Sequence, residues 1–343
     1  MVRTGLVLGA GGLLGSAWTT GALVALQDVI DRPLGELDLI VGTSAGSVLG
    51  SALRCGQSVD ELLAHQQGTD PSELAPDLDA VVELPDIRRI ERETGNGLPP
   101  MPWPWMGSPC LLASAMRHGR TLNPIVVASA LMPLGRARLG SVVDMVAAMQ
   151  TRVGVTEDGW IPGNPLWLVA VDYDSGRRVV FGRAGGPPST VGEAVLASCS
   201  IPGWFAPQPI GGRRYVDGGI ASTTSLDLLA RPGAPELDEV IVLAPMASHV
   251  YDRPSDPLAQ LERRLRRLLT RWLDAEIEAV RATGMRVTVL TPGPADLAAM
   301  GGNLMNPRRR QRVLDTALAT SRSALADAFA ASMVDDGLQE GAA

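Results

Sequence analysis

Two similar segments constrain the fold of this 343-residue chain most strongly. Each is a short apolar run that is followed by a glycine-rich turn and then by a helical pattern. The first runs from TGLVLG (4–9) through glycines into SAWTTGALVALQDV (16–29). The second runs from LDLIVG (37–42) into SVLGSALRCG (47–56). Each predicts a strand, a tight turn and a helix. Two such units in succession predict a parallel sheet with crossover helices.

Later segments extend this pattern. Further strands are predicted at 165–173, 177–182, 239–245 and 285–292, and further helices at 189–199, 222–230, 256–283 and 307–333. We therefore expect a three-layer α/β/α fold with a central, mostly parallel sheet. One domain is predicted over residues 1–300, and a C-terminal helix and tail over 301–343 is expected to pack on this domain or trail it.

The segment 57–120 differs from the rest and is predicted to be a variable insertion that forms a cap or lid. It is rich in Pro, Asp and Glu, and its prolines at 99, 100, 102 and 104 exclude a helix or a central strand there. Trp103 and Trp105 fit a lipid interface, where amphipathic rings are favoured. The favoured interpretation is a Trp/Pro cluster that packs against the core.

The segment 258–280 predicts a basic amphipathic helix. Apolar residues follow one side and arginines fall largely on the other: Leu261, Leu265, Leu268, Trp272 and Ile277 against Arg263, Arg264, Arg267 and Arg271. Such a helix can lie on anionic lipid. The favoured interpretation is that its apolar stripe packs on the sheet, because a strand follows directly, as a crossover helix requires.

Composition excludes several classes of function. The net charge of −7 argues against a general nucleic-acid-binding protein. The three cysteines form no CxxC pair, so neither a disulfide framework nor a zinc site is indicated. Four glycines between residues 9 and 15 oppose a signal peptide, and no apolar run is long enough for a membrane span. We expect a cytoplasmic protein with possible peripheral membrane contact.

The stretch GTSAG (42–46) matches the pattern G-x-S-x-G. Gly42 and Gly46 permit a strained strand-to-helix turn that pushes the Ser44 hydroxyl out of the packed layer. The helix that follows directs N–H groups and a positive dipole end at that hydroxyl. Ser44 is therefore a candidate nucleophile, although glycine and serine are also common in ordinary turns.

The stretch LGAGGLLG (8–15) predicts a loop whose backbone N–H groups bind an anion. A dinucleotide fingerprint would need a third glycine at position 14, counting from Gly9, and an acidic residue after the next strand. The chain has neither. The loop from Gly9 to Gly15 fits an oxyanion hole better, with N–H groups donated by Gly11 and Gly12.

The stretch RRYVDGGIAS (213–222) places Asp217 at the end of a predicted strand, before Gly218 and Gly219. Alone, Asp-Gly-Gly is often a plain turn. A long Pro/Gly-rich approach, ASCSIPGWFAPQPIGG (197–212), precedes it and could fix the aspartate in place.

Together, the three motifs resemble those of the patatin-like phospholipase family: a glycine loop, then G-x-S-x-G, then a distant D-G-G. The family's A-S-x-x-I-P-G-x-F-x-P stretch is matched by Ala197, Ser198, Ile201, Pro202, Gly203, Phe205 and Pro207. The resemblance runs from residue 3 to about 220 and is weak between 57 and 120. It implies a patatin-like fold and a hydrolase of lipid carboxylic esters.

The resemblance also implies a catalytic dyad of Ser44 and Asp217, an acyl-serine intermediate, and an oxyanion hole of Gly11 and Gly12 helped by Ala45. No metal or organic cofactor is implied, and the partner is a lipid or acyl-ester substrate. The family loop usually reads G-G-G-x-R/K-G. This chain has Ala10 and Leu14 there, so the usual cation is missing.

Two other functions fit parts of the sequence. One is a Ser-Asp-His esterase that uses His249, because the order Ser, Asp, His is allowed in an α/β-hydrolase. The other is a catalytically weak or inactive lipid-binding protein on the same fold, which the replacement of the basic residue by Leu14 favours. Both Ser44 and Asp217 are present, and this favours the enzyme.

Overall fold

The computed structural model describes residues 2–68, 106–118, 122–137, 139–156, 159–250 and 252–340. Eight strands in these ranges form one sheet: β1 (Thr4–Leu8), β2 (Leu39–Thr43), β3 (Leu166–Asp172), β4 (Arg178–Phe181), β5 (Gln208–Ile210), β6 (Arg213–Asp217), β7 (Glu239–Leu243) and β8 (Arg286–Leu290). The α-helices of the same ranges are α1 (Gly12–Gln27), α2 (Ala45–Arg54), α3 (Val59–Gln67), α4 (Pro109–His118), α5 (Pro124–Ser129), α6 (Gly140–Arg152), α7 (Val191–Cys199), α8 (Pro257–Arg281), α9 (Pro294–Met300) and α10 (Arg310–Glu340).

The sheet is mostly parallel. Hydrogen-bonded pairs connect its strands in the sequence β5-β6-β3-β2-β1-β7-β8, and β4 pairs with the other edge of β3. The pairs β1–β2, β1–β7, β2–β3 and β7–β8 are parallel, whereas β3–β4, β3–β6 and β5–β6 are antiparallel. Helices cover both faces of the sheet. The predicted α/β fold with a central, mostly parallel sheet is therefore confirmed.

The core consists of two apolar layers, one on each face of the sheet. Side chains alternate between the faces along a strand. In β1, Leu6 and Leu8 pack with α1, α2, α7 and α10, whereas Val7 packs with α8 and with the 3₁₀ helix Leu226–Ala230. Because both faces of the central strands are buried, the strand sequences are continuous apolar runs rather than alternating ones.

The strands β2 and β6 lie along the same edge of β3. Leu168 of β3 pairs with Gly42 of β2 and, on its other side, with β4. Ala170 of β3 pairs with Asp217 of β6 and also with β4. Since β4 occupies one edge throughout, β2 and β6 share the other. β2 runs parallel to β3 and β6 runs antiparallel, so the C-terminal ends of β2 and β6 meet.

The described part of the C-terminal segment packs on the rest of the chain. α10 lies against α1 so closely that a Cβ at Gly21 would come within 2.7 Å of the Ala317 Cβ atom. The Thr288 hydroxyl of β8 donates to the Ser332 hydroxyl of α10 at 3.1 Å. No helix within the described ranges is both long enough and apolar enough to cross a membrane.

Two sequence predictions about helices need correction. The helix predicted at 222–230 is only the 3₁₀ helix Leu226–Ala230. Its start is replaced by a turn in which the Ser222 hydroxyl accepts the N–H of Ser225 at 2.7 Å. A serine side chain that bonds nearby backbone competes with helix formation, and here it prevents the first turn.

The first half of α8 is rotated relative to the prediction. Leu261, Leu265 and Leu268 are 62%, 41% and 38% exposed, whereas Arg263 and Arg266 are only 6% and 2% exposed. The predicted packing of the leucines on the sheet is therefore wrong, although Ile277 is buried as predicted. The buried guanidinium groups donate to backbone carbonyls and to carboxylates, which compensates for their removal from water.

The predicted insertion at 57–120 is described only in part. Residues 57–68 include α3, and residues 106–118 include α4. Residues 69–105 lie outside the described residues, and with them Trp103 and Trp105. Their interpretation, like the division into a domain and a C-terminal tail, stays a prediction.

Candidate active site

Ser44 lies in the turn between β2 and α2, with φ 55° and ψ −123°. A positive φ is unusual for serine, and a strained turn of this kind places the hydroxyl at the end of the sheet, beyond the last residue of the strand. Gly46 is required by a close approach, because a Cβ there would clash with the Leu8 carbonyl oxygen at the end of β1. A Cβ at Gly42 would lie 2.6 Å from the Gly46 oxygen. The stretch GTSAG therefore forms the predicted turn.

Hydrogen bonds from neighbouring residues hold the Ser44 backbone in this conformation. The Ser44 N–H donates to the Ser198 hydroxyl at 2.8 Å, and that hydroxyl donates to the Val169 carbonyl of β3 at 2.7 Å. The Ser47 hydroxyl donates to the Ser44 carbonyl at 2.6 Å. All these groups are buried. The turn is therefore fixed to the sheet on one side and to α2 on the other.

Asp217 is the last residue of β6 and is only 4% exposed. Its N–H donates to the Ser200 carbonyl at 2.9 Å, and its carboxylate accepts the N–H of Gly219 at 2.7 Å. Gly218 packs so tightly on the Val169 carbonyl that a Cβ there would clash. The Asp-Gly-Gly sequence therefore ends β6 against β3 and holds the carboxylate in one orientation.

Ser44 and Asp217 line the same pocket, and the Ser44 side chain lies close enough to the Asp217 carboxylate to favour its ionised form. This proximity follows from the shared edge of β3, where the C-terminal ends of β2 and β6 meet. Burial raises the pKa of Asp217 to about 6, whereas the nearby Ser44 side chain and the hydrogen bond from the Gly219 N–H act in the opposite direction. A carboxylate with this pKa is mostly ionised at neutral pH and is a stronger base than an exposed aspartate.

The loop between β1 and α1 approaches Ser44 from the neighbouring strand. The Gly9 N–H donates to the Leu243 carbonyl of β7 at 2.9 Å, and the Ala10 N–H donates to the Thr223 carbonyl at 2.7 Å. These two bonds attach the loop to β7 and to the segment that follows Asp217. The loop, the turn at Ser44 and the end of β6 therefore form one connected site.

Backbone N–H groups near Ser44 are available to a ligand. Within the described part of the chain, the N–H groups of Gly11, Gly12 and Ala45 have no hydrogen-bond acceptor. Gly12 and Ala45 are the first residues of α1 and α2, and Gly15 in the first turn of α1 donates to the Gly11 carbonyl at 2.9 Å. The free N–H groups and the two positive helix ends favour negative charge beside Ser44.

Two apolar pockets meet at Ser44, and Gly12, Ile201 and Met305 line both of them. The first, which we call the α2 pocket, has a volume of about 110 Å³; its lining includes Val48, Leu49, Leu62, Val142, Met145 and Met149. The second, which we call the α8 pocket, has a volume of about 300 Å³; its lining includes Asp217, Ile125, Ile220, Met246, Leu265 and Leu269.

His249, the alternative base, lies away from Ser44. Its Nε2 is 2.9 Å from the Asp274 carboxylate of α8, and its side chain is 55% exposed. It is absent from the described lining of both pockets. His65, on α3, does line the α2 pocket. The structure thus brings Asp217, and not His249, to the Ser44 hydroxyl.

Comparison with known proteins identifies the family of this chain. A family model described as patatin-like phospholipase matches residues 6–230, which is more than half of the chain. The chain belongs to the patatin-like phospholipase family. Membership in this family supports a lipid ester hydrolase activity. The matched range contains the glycine loop, Ser44 and Asp217.

Solved structures that resemble this chain share low sequence identity with it. VipD from Legionella pneumophila is 14% identical, with 95% of this chain and 67% of that chain covered and a TM-score of 0.43. The type III effector ExoU, from Pseudomonas aeruginosa, is 16% identical, with 94% and 53% covered and a TM-score of 0.34. Human GIVD cytosolic phospholipase A2 is 14% identical, with 98% and 60% covered and a TM-score of 0.38. The chain thus spans 53% to 67% of these proteins.

The two departures from the patatin-like loop pattern have structural consequences. Leu14 is fully buried in the core, and its N–H donates to the Leu304 carbonyl at 2.9 Å. It is not among the described residues that line either pocket. The position of the usual cation is therefore used here for core packing. At the other departure, the Ala10 N–H donates to the Thr223 carbonyl. The N–H groups of Gly11 and Gly12 still have no acceptor, so the alanine does not affect them.

Sequence reasoning missed the residues of the α2 pocket. Val142, Met145 and Met149 come from α6, and Leu62 comes from α3. The spacing of three and four residues along α6 predicts an apolar helix face. It does not indicate what that face covers, because the contact with Ser44 depends on how α6 packs against α2 and α7.

Proposed function

We propose that this chain is a serine-dependent carboxylic ester hydrolase that cleaves lipid esters through a Ser44–Asp217 dyad. One observation carries the proposal. Ser44 lies beside the buried carboxylate of Asp217, at the point where two apolar pockets and a group of free N–H donors meet. A nucleophile, a base, an oxyanion site and room for apolar substrate are the parts an acyl hydrolase needs.

The environment of Asp217 makes it suitable as a general base. An exposed aspartate has a pKa near 3.9 and accepts a serine proton poorly. Burial raises the pKa of Asp217 to about 6, which favours the neutral form that results from proton transfer. Near neutral pH the carboxylate is still ionised, so it is ready to accept the proton.

The free N–H groups are suited to stabilise the oxyanion. The N–H groups of Gly11, Gly12 and Ala45 have no acceptor among the described residues and lie at the N-termini of α1 and α2. Donors that are fixed before reaction stabilise the charge that develops on the attacked carbonyl oxygen without reorganisation. The bonds that attach the glycine loop to β7 and to Thr223 hold the N–H groups of Gly11 and Gly12 in place.

The reaction proceeds in two stages. Asp217 accepts the Ser44 proton while the Ser44 Oγ attacks the ester carbonyl carbon, and a tetrahedral oxyanion forms. When the oxyanion collapses, the bond to the leaving alcohol breaks, Asp217 returns the proton to that alcohol, and an acyl-serine remains. Water then attacks the acyl-serine, again giving its proton to Asp217, and the Ser44 oxygen leaves with that proton as the fatty acid is released.

The two pockets suggest how a substrate lies in the site. Asp217 lines the α8 pocket but is absent from the described lining of the α2 pocket. Because Asp217 must reach the leaving oxygen, we assign the α8 pocket to the alcohol side of the ester. The acyl chain then occupies the α2 pocket, whose aliphatic and Met side chains suit a hydrocarbon.

The test is hydrolysis of p-nitrophenyl esters of increasing acyl length by the wild type and four variants. We expect Ser44→Ala and Asp217→Asn to lose activity, and His249→Ala and the matched serine control Ser51→Ala to keep it. Ser51 is buried in α2, and its hydroxyl has no described partner. Full activity in Asp217→Asn would refute the dyad. Loss in His249→Ala would favour the triad, and an inactive wild type on all chain lengths would favour a lipid-binding protein.

A fluorophosphonate with an alkyl chain provides a second readout that does not depend on choosing the right ester. Such a reagent phosphonylates a nucleophilic serine, and the added mass is measured on the intact protein. We expect one adduct on the wild type and on Ser51→Ala, and none on Ser44→Ala. An adduct that persists in Ser44→Ala would show that another serine is the nucleophile.

A further inference from the structure

The first half of α8 presents an apolar stripe to the outside of the protein. Leu258, Leu261, Leu265, Leu268 and Trp272 are spaced by three and four residues, so they share one helix face. The four leucines are 38% to 62% exposed. Single exposed leucines need no explanation, but four in a row on one face mark an interaction surface. We call these five residues the α8 stripe.

The orientation of the α8 stripe is fixed by the opposite side of the helix. Asp256 caps α8 by accepting the Ala259 N–H at 3.0 Å. The Arg266 guanidinium donates to the Pro245 carbonyl at 2.6 Å, and Glu262 binds the same guanidinium. Arg263 donates to the Leu297 carbonyl at 2.8 Å. These buried bonds prevent the helix from rotating to bury its leucines.

The α8 stripe is continuous with the proposed substrate site. Leu265, in the middle of the stripe, also lines the α8 pocket, together with Ser44 and Asp217. Leu269 lies next to it on the pocket side. A molecule that contacts the stripe is therefore at the entrance to the pocket that contains the dyad.

A row of arginines lies along one flank of the α8 stripe. Arg264, Arg267 and Arg271 are exposed, and none of them forms a salt bridge with a described residue. The chain as a whole carries a net charge of −7, so this row is a local exception. An apolar stripe flanked by arginines is the pattern of a helix that lies in the interface of an anionic lipid bilayer.

We propose that the α8 stripe and the arginine row bind an anionic lipid surface and hold the mouth of the α8 pocket against it. The leucines enter the boundary between headgroups and acyl chains, and the arginines contact phosphate groups. The role of this lipid contact in delivering lipid esters to Ser44 rests on the proposed function. The binding itself does not depend on that function.

A second copy of the chain fits the stripe less well, although the spacing is that of a coiled coil. In an antiparallel pair of α8 helices, Arg264 and Arg271 would face the same arginines of the other copy and repel them. The carboxylates on the opposite flank, Glu262 and Glu276, are already engaged within the chain by Arg266 and by the Ser222 and Thr224 hydroxyls.

The test is flotation of the full chain with lipid vesicles, in a Ser44→Ala background so that no lipid is consumed. Vesicles consist of phosphatidylcholine with or without phosphatidylglycerol. We expect binding to vesicles that contain phosphatidylglycerol, weakened about tenfold or more by replacing Leu258, Leu261 and Leu268 with Gln. Replacing Arg264, Arg267 and Arg271 with Gln should reduce binding to the level on neutral vesicles and remove its salt dependence.

A matched control changes exposed apolar residues of the opposite helical layer. Val29 and Met333 are 55% and 64% exposed, and Val29→Gln with Met333→Gln should leave vesicle binding unchanged. Equal binding by the leucine variant, or no binding by the Ser44→Ala protein, overturns the proposal. A dimer in sedimentation that the leucine variant dissociates also overturns it, in favour of a second copy.

Hydrolysis of a soluble short ester separates this proposal from the proposed function. With Ser44 intact, the leucine variant should keep the wild-type rate on that ester while losing hydrolysis of vesicle lipid. Equal loss on both substrates would mean that the replacements damage the fold and would overturn the assignment. A wild type that binds vesicles but hydrolyses neither substrate would refute the proposed function alone.

Discussion

The substitution Asp217→Asn should stabilise the fold while it removes activity. Asp217 is 4% exposed, and burial raises its pKa to about 6 from an ordinary value of 3.8. Asparagine has the same shape and no charge. Its amide oxygen can still accept the Gly219 N–H, and its NH₂ group can donate to the Ser44 oxygen. The substitution therefore removes the desolvated charge without opening a cavity.

The expected gain follows from the pKa difference. Each pKa unit is worth about 1.4 kcal/mol, so the step from 3.8 to about 6 corresponds to about 3 kcal/mol. The folded form binds this proton more tightly than the unfolded form. Stability of the wild type is therefore lost as pH rises from about 4 to about 6, and the full penalty remains above that range. Asp217→Asn carries no charge at this position, so burial does not destabilise it in this way.

Urea denaturation followed by tryptophan fluorescence measures this difference. The free energy of unfolding of the wild type and of Asp217→Asn is compared at several values from about pH 4 to about pH 8. We expect the variant to be about 3 kcal/mol more stable at about pH 8 and equal to the wild type at about pH 4. Asp31→Asn, at an exposed position, is the matched control and should show no gain at either pH.

The shape of the pH dependence tests the reasoning more sharply than a single value. A gain for Asp217→Asn that is the same at about pH 4 and about pH 8 would mean that charge is not its origin. A variant less stable than the wild type at about pH 8 would mean that the carboxylate is solvated or paired more strongly than its contacts indicate. Either result would refute the argument that burial makes Asp217 a stronger base than an exposed aspartate.

Three further predictions concern the same site. Wild-type kcat/KM on a soluble ester should rise about tenfold per pH unit up to about pH 6 and then level off, because only ionised Asp217 accepts the proton; a flat pH–rate profile from about pH 5 to about pH 7 would contradict this. Gly46→Ala should prevent folding or lower the free energy of unfolding by about 3 kcal/mol or more, because its Cβ would clash with a backbone carbonyl. Gly192→Ala, whose Cβ would lie 3.8 Å from its nearest neighbours, is the control for Gly46→Ala and should be neutral or slightly stabilising in the same urea denaturation. Ser198→Ala should cost about 1–3 kcal/mol and lower kcat more than it raises KM, since it leaves the buried Ser44 N–H without its acceptor; unchanged kinetics would show that the turn holds without that bond.

The sequence predicted the parts of the structure that local patterns encode. The continuous apolar runs before GAGG and GTSAG predicted buried parallel strands, and the glycines predicted the turns that follow them. Asp217 was singled out because its Asp-Gly-Gly sequence occurs with the other two motifs. The structure adds why the side chains meet: Gly42 and Asp217 pair with neighbouring segments of β3 along one edge. Pairing of distant strands is not visible in local patterns.

The sequence misled where tertiary contacts outweigh a local pattern. The leucines of α8 predicted a buried face and its arginines a solvated one. Arg263 and Arg266 instead found carbonyl and carboxylate partners inside the protein, and the helix is oriented by those bonds. A buried arginine is stable only when its donors are satisfied, and its partners come from segments far away in the chain. The residues of the α2 pocket were missed for the same reason.

Because both members of the dyad are positioned on one edge of β3, the distance between them does not depend on the length of chain that connects them. Ser44 and Asp217 are held by the register of two strand ends on a third strand. Loops between β2 and β3 can therefore grow, shrink or be exchanged without changing the distance between the two side chains. A substitution that shifts β3 by one residue would disrupt the dyad while leaving both of its members in place. Changes of sequence and length should thus be tolerated in the connecting loops and restricted in β3, a strand that itself contributes no reacting group.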